Sequence, residues 1–289
     1  EGYVIGRKGI GSFTNPAKFM EHQSGERFPI VGIFFRDGHI THFSAYDAHI
    51  AAALMKQITL LPAMVHLGCV EHSSPGKIAE ELERSSFDAI IWEQPDEKRR
   101  EALKRLTEKT GIPVITTGKL YPEFAGVSLN LEKAGYDCAK LLIAEGRKCP
   151  VFMGNYDPWL RQAKGFRKAF EEAGIRLNEK LFLKHQNLDA LKNILELGVP
   201  VDVVFNHPNM IRNEVAHLLE EMKIDVGEQC RLVCNSLAAS ANPDFRGYVY
   251  QIDFDRIAEE CVKILRKSLA EGPTPELHTM IDFQIVKQF

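Results

Sequence analysis

The chain has 289 residues, of which 45% are hydrophobic and 26% charged, with a formal net charge of -3. That length exceeds one ordinary domain and predicts about two compact lobes with real cores. The charge balance excludes a body that attracts DNA or anionic membrane over its whole surface, so any affinity for nucleic acid must be local.

The opening stretch, GRKGIGSFT from Gly6 to Thr14, sets two adjacent cations among alternating glycines. Gly9 and Gly11 allow the positive-φ turns of a tight hairpin, with Arg7 and Lys8 at its tip, and residues 14–27 read as a polar linker. The six cysteines, Cys69, Cys138, Cys149, Cys230, Cys234 and Cys261, stand among apolar neighbours, neither as a disulfide framework nor as a CxxC pair. That usage predicts reduced thiols and a cytoplasmic protein. Nothing at the start resembles a signal peptide, and no apolar run approaches the ~18 residues of a membrane span.

From Pro29 onward, short runs rich in β-branched and aromatic residues alternate with amphipathic stretches, as βαβ units require. Strands are expected at Ile30, Ala63, Asp88, Pro113 and Gly126, and again at Pro150, Leu181, Val201, Arg231 and Tyr248. The runs are nearly continuously apolar, as strands covered on both faces must be. Between them, Ala134, Cys138, Leu141 and Leu142 form one helical stripe, and Leu160, Ala163, Phe166, Phe170 and Ala173 a second. Phe254, Ile257, Ala258, Cys261 and Leu265 form a third. Gly146 and Gly174 stand where C-terminal caps belong. Two groups of five strands predict two doubly wound lobes, whose ligands bind outside the carboxyl ends of the strands.

Four segments carry a resemblance: GIPVITTGKL from Gly111, VSLNLEKAGYDCAKLLIAEGRKCPVFMG from Val127, RQAKGFRKAFEEAGI from Arg161 and YQIDFDRIAEECVKIL from Tyr250. In order and spacing they resemble the effector-binding domain of LacI/GalR-type transcriptional regulators, over about 260 residues. The resemblance implies an α/β, periplasmic-binding-protein-like type I fold of two doubly wound parallel-sheet lobes joined by three crossovers. One lobe would comprise residues 28–130 and 252–282, the other 131–251 and 283–289. The opening GYVIGRKGIGSFT is similar to the closing wing of a GntR-type winged helix, so residues 1–13 are expected to be a remnant wing in which Arg7 and Lys8 approach DNA. Operator DNA would then be reached only through the missing winged helix.

The resemblance places a small-molecule effector, a sugar or sugar derivative, between the lobes. Its implied contacts begin with Ser44, Tyr46, Asp47 and Ile50, where Ser44 also reads as a helix N-cap and Ile50 as core. Trp92 and Glu93 follow a strand, and Trp159 precedes a helix. The two indoles offer flat walls for a sugar ring, with lobe packing as the structural alternative. Asn130 stands where the family has Asp and could equally cap the following helix. Gln251 matches the family's crossover Gln, with Ile252 competing for the place. The chain departs from the sugar-binding pattern at Gln162, which replaces an Arg with Arg161 displaced by one. It departs again at Pro208 and Asn209, which replace Asn-Asp, and at Ser236, which replaces an Asp. These losses remove charge-assisted grips on hydroxyls, leaving Glu93, Asp47, Arg161 and Arg212 to decide ligand class.

An enzyme is disfavoured, since no GxSxG, HExxH, P-loop or dinucleotide fingerprint occurs. His39 and His42, with His49 nearby, lack the ligands of a metal site, and neither metal nor cofactor is expected. A periplasmic-type solute-binding protein for sugar transport is the alternative of the same fold. In the regulator reading, effector binding changes the angle between lobes, and a homodimer passes that change to the DNA through the linker.

Overall fold

The computed structural model describes residues 4–7, 11–14, 28–35, 44–68, 70, 74–154, 157–183, 187–206, 212–235 and 245–288. It divides into two compact units, Glu1–Val127 with Ile257–His278, and Ser128–Arg256 with Thr279–Phe289, so the chain passes from one to the other three times.

Strands β1 (Val4–Arg7) and β2 (Gly11–Thr14) pair antiparallel as a hairpin, Arg7 opposite Gly11. The first unit then runs β3 (Ile30–Phe35), α1 (Ala45–Ile58), β4 (Met64–Leu67), α2 (Pro75–Arg84), β5 (Ala89–Glu93), α3 (Glu97–Thr110), β6 (Val114–Thr117) and β7 (Ala125–Leu129). The second repeats the rhythm with α4 (Leu131–Ala144), β8 (Pro150–Met153), α5 (Asp157–Glu172), β9 (Phe182–Leu183), α6 (Leu188–Glu196), β10 (Val203–Asn206), α7 (Arg212–Glu221), β11 (Arg231–Asn235) and β12 (Gly247–Gln251). Helix α8 (Phe254–Glu271), β13 (His278–Ile281) and β14 (Gln284–Gln288) follow. All ten expected strands are present. β13 and β14 were not anticipated, because their alternating exposure gives them no continuous apolar run.

One sheet has the order β13-β7-β6-β5-β3-β4 and the other β14-β12-β11-β10-β8-β9. In both, the five strands that follow one another in sequence are parallel in the order 2-1-3-4-5, with β14 antiparallel at the edge of the second. This is a doubly wound order, whose direction reverses between β3 and β5 and again between β8 and β10. β5 and β6 are buried at every position, as central parallel strands must be.

The helical stripes hold with three corrections: Ala173 is exposed just beyond the end of α5, and two leucines lie off their stripes. Leu141 is 40% and Leu160 56% exposed. On a 3.6-residue helix both fall outside the arc defined by Cys138 and Leu142 in α4 and by Ala163, Phe166 and Phe170 in α5, all of which are buried.

Helices α4 and α5 approach closely enough for backbone to touch backbone. A Cβ on Gly135 would lie 2.0 Å from the Gln162 carbonyl oxygen, and one on Gly165 would lie 1.8 Å from that of Glu132. Any side chain there would force the helices apart. Gly165→Ala should therefore destabilise the protein by about 1–3 kcal/mol or more, seen as a lower unfolding midpoint. Gly76→Ala in α2, whose Cβ would meet only Arg105 at 3.9 Å, should leave the midpoint unchanged or raise it. Equal effects at the two positions would refute the contact.

Just beyond α4, the Glu145 carboxylate accepts hydrogen bonds from Arg231 Nε at 2.7 Å, Tyr248 Oη at 2.9 Å and Lys287 Nζ, tying α4 to β11, β12 and β14. Burial alone would push this carboxyl up, but the bonds from Arg231, Lys287 and Tyr248 outweigh it and hold it at about 2, against an ordinary 4.5. Because the unfolded carboxyl takes up a proton first, this stabilisation is complete above the unfolded value and is lost as pH falls from there towards 2. Chemical unfolding between pH 2 and pH 7 should show that acid limb in the native chain, and Glu145→Gln should flatten it.

Candidate functional site

In each sheet the chain leaves the carboxyl ends of the two strands at the reversal point towards opposite faces, the place where doubly wound sheets bind their ligands. In the first unit the last register row across the sheet is Phe35, Glu93, Thr117 and Val127, and the row before it is Phe34, Trp92, Thr116 and Gly126. Since successive side chains alternate faces, these rows point to opposite sides.

The inner row belongs to the core. Trp92 is 0% exposed and stacks on Phe34 with centroids 4.7 Å apart, among Ile78 and Leu82 of α2 and Leu103 and Leu106 of α3. This corrects the expectation that the Trp92 indole presents a ligand wall. A ring of this size buries about 150–250 Å², worth roughly 4–6 kcal/mol at ~25 cal/mol per Å², and packing beneath α2 and α3 captures that term.

In the outer row two polar residues, Glu93 and Thr117, stand between the apolar Phe35 and Val127. Glu93 is 1% and Thr117 0% exposed. Because crossovers are right-handed and the chain reverses direction after β4, α1 lies on the face opposite α2 and α3, which is the face of Glu93 and Thr117. Its first turn brings Asp47, 4% exposed, to the same carboxyl end. Asp47 Oδ2 accepts from Ser44 N at 2.9 Å and Ser44 Oγ at 2.6 Å, while Asp47 N donates to Ser44 Oγ at 3.2 Å. This is a capping box. Ser44 is thus the N-cap, Ile50 is core at 0% exposure, and Tyr46 is half-buried in the first turn.

The turns beyond this row are interlocked. Gln94 has φ 44 and Gly118 φ 79. Gln94 N donates to Thr117 O at 3.0 Å, Gly118 N donates to Val127 O at 2.9 Å, and a Cβ on Gly118 would lie 2.6 Å from Gln94 Nε2. The left-handed backbone at 118 favours glycine, and the Gln94 side chain is laid against it. Gln94 holds a left-handed conformation that is uncommon for a non-glycine residue and is shared among the described residues by Ser86 and Lys223, which follow helix ends. Sequence reasoning passed over Thr117, Gln94 and Gly118. The available signal was a glycine directly after a strand-forming run.

In the second unit, Asn130 caps α4. Its Oδ1 accepts from Lys133 N at 3.3 Å and its Nδ2 donates to Asp282 Oδ1 at 2.9 Å. A groove of about 380 Å³ beside it is lined by Asn130, Lys133, Tyr136, Arg161, Lys168 and Met280, among others. Of its charged groups, Lys133 pairs with Asp137 and Asp282, and Glu132 with Lys164. Gln162, 5% exposed, lies instead where α5 meets Gly135. It is its backbone that meets Gly135. Gln251 ends β12 opposite Gln284, and it and Ile252 are both half-buried.

Lys8, His39, His42, Asn209 and Ser236 lie outside the described residues, as do the side chains of Arg7, Trp159 and Arg212. Among the described residues no group of His, Cys, Asp and Glu is arranged to hold a metal ion, and no helix is long and apolar enough to cross a membrane.

No protein-family model and no curated protein matches this chain. Solved structures do. A LacI-family transcription regulator from Clostridium acetobutylicum superposes with a TM-score of 0.72 at 16% identity, covering 90% of this chain and 100% of that one. A complex of the transcriptional regulator CelR with cellobiose gives 0.69 at 14% identity, covering 89% and 83%. A periplasmic binding protein/LacI transcriptional regulator from Alkaliphilus metalliredigens in complex with D-xylulofuranose gives 0.65 at 12%, covering 89% and 97%. At these identities the likeness is one of fold, and the chain has the periplasmic-binding-protein-like type I fold of these proteins, two doubly wound parallel sheets joined by three crossovers.

Proposed function

We propose that this chain is the effector-sensing part of a transcriptional regulator and that its effector is a sugar or sugar derivative. The observation that carries the reading is the polar carboxyl edge at the first unit's reversal point, where Asp47, Glu93 and Thr117 are buried at the end of an otherwise apolar sheet. Support comes from neighbours of the same fold that hold cellobiose and D-xylulofuranose. The effector is taken up at the carboxyl ends of the strands, with Tyr46, Asp47 and Glu93 in the first unit and Asn130, Trp159, Arg161, Asn209, Ser236 and Gln251 in the second. Trp92 stands behind the site as core.

The signal passes to DNA through a homodimer. In this reading the β1–β2 hairpin is the remnant of a GntR-type wing carrying Arg7 and Lys8, and residues 14–27 link it to the sensing lobes. Effector shifts the operator equilibrium only by binding one lobe arrangement more tightly than the other. Transport-type solute binding is the second reading, favoured by the D-xylulofuranose-bound neighbour, which is described as a periplasmic binding protein as well as a LacI regulator.

Thermal unfolding in the presence of D-xylose, D-ribose, D-glucose, cellobiose, their phosphates and a set of nucleosides tests the reading. A sugar present at 100-fold its Kd adds about 2.7 kcal/mol and raises the midpoint by several degrees. A panel in which no sugar or sugar phosphate shifts the midpoint overturns it. Sedimentation at micromolar concentration should give twice the chain mass, and a monomer throughout would exclude signalling by a homodimer of this chain.

A further inference from the structure

Thr116 and Thr117 end β6 side by side on opposite faces of the sheet. Both are 0% exposed. The Thr116 hydroxyl is within hydrogen-bonding distance of two backbone carbonyls, Lys119 O at 3.1 Å and Ala125 O at 3.4 Å. The Thr117 hydroxyl makes no hydrogen bond. A buried hydroxyl without a partner costs free energy that valine, of nearly the same shape and better suited to a buried strand, would avoid. Strand packing therefore does not account for threonine at 117.

The surroundings point to a ligand. Thr117 pairs in register with Glu93 at the carboxyl edge beside the reversal point, where ligands of doubly wound sheets bind. Asp47, in the first turn of the helix that connects β3 to β4 across that face, has Oδ2 committed to the capping box, while its Oδ1 is buried without a hydrogen bond. Directly beyond, Gln94 and Gly118 hold the exit from the row in left-handed conformations locked against each other. One acceptor, one hydroxyl able both to donate and to accept, and a pre-set rim suit a hydroxyl group, which itself donates once and accepts twice.

We infer that Thr117, with Asp47 Oδ1, is the first unit's specificity contact for a hydroxyl of a neutral sugar. This rests on the sugar-sensing reading above. The ligand hydroxyl donates to Asp47 Oδ1 and accepts from Thr117 Oγ1, and its binding satisfies two groups that folding alone leaves unmatched.

The test compares the native chain with Thr117→Val and Thr116→Val, using calorimetric titration of D-xylose, D-ribose, D-glucose and cellobiose, and thermal unfolding without sugar. Thr117→Val should unfold at the same temperature or higher, and should bind the responsive sugar roughly tenfold more weakly. Thr116→Val, which loses the hydroxyl's donation to a backbone carbonyl, should unfold lower. If a sugar binds the native chain and Thr117→Val equally well, the inference fails while the sugar-sensing reading stands. If Thr117→Val unfolds as low as Thr116→Val, the hydroxyl is structural and the inference fails whatever the ligand. If none of the four sugars binds the native chain, the neutral-sugar assignment fails, and Thr117 loses its role with it.

Discussion

The placement of the buried polar strand ends in this molecule depends on the handedness of the crossover between parallel strands. A right-handed connection places its helix on one face when the chain advances in one direction along a sheet and on the other when it turns back. Both sheets turn back once, between β3 and β5 and between β8 and β10. There the helices leave to opposite faces, and the carboxyl ends of two neighbouring strands remain uncovered by either. A sheet whose strands are apolar on both faces has no other place where a carboxylate and a hydroxyl can sit in register without breaking the core.

The first unit uses that place economically. The inner row, Phe34 and Trp92, completes the hydrophobic packing beneath α2 and α3, and the next residue along each strand leaves it. Pleating alone separates Trp92 from Glu93, and the same one-residue step separates Thr116, whose hydroxyl lies against the backbone, from Thr117. In the turns that follow, a left-handed Gln94 lies against a left-handed Gly118, directly beyond Glu93 and Thr117.

The second unit is tied together differently. Gly135 and Gly165 let α4 and α5 touch backbone to backbone, and the Glu145 carboxylate gathers Arg231, Tyr248 and Lys287 from three strands at the opposite end of α4 from the Asn130 cap. These contacts explain why Gln162 is committed to packing while its neighbour Arg161 faces a groove. One residue of displacement along a helix turns a side chain by about 100°.

Periodicity and strand-forming runs determined the order of elements: ten strands, the alternating helices and the two-lobed α/β plan could be read from apolar spacing, because parallel strands buried on both faces leave an unbroken signature in the chain. Capping was legible too, since Ser44 and Asp47 lie three residues apart and Asn130 directly precedes a helical stripe, and such contacts are local. What only the tertiary structure decided was which way the residues at strand ends point. Trp92 and Glu93 are adjacent in sequence and equally plausible as ligand contacts, yet register across β3, β5 and β6 sends one into the core and the other to the polar edge. Thr117 carries no motif at all. Its significance lies in a hydrogen bond it does not make, and that depends on what four separate stretches of chain bring to its surroundings once β3, α1, β5 and β6 are folded together.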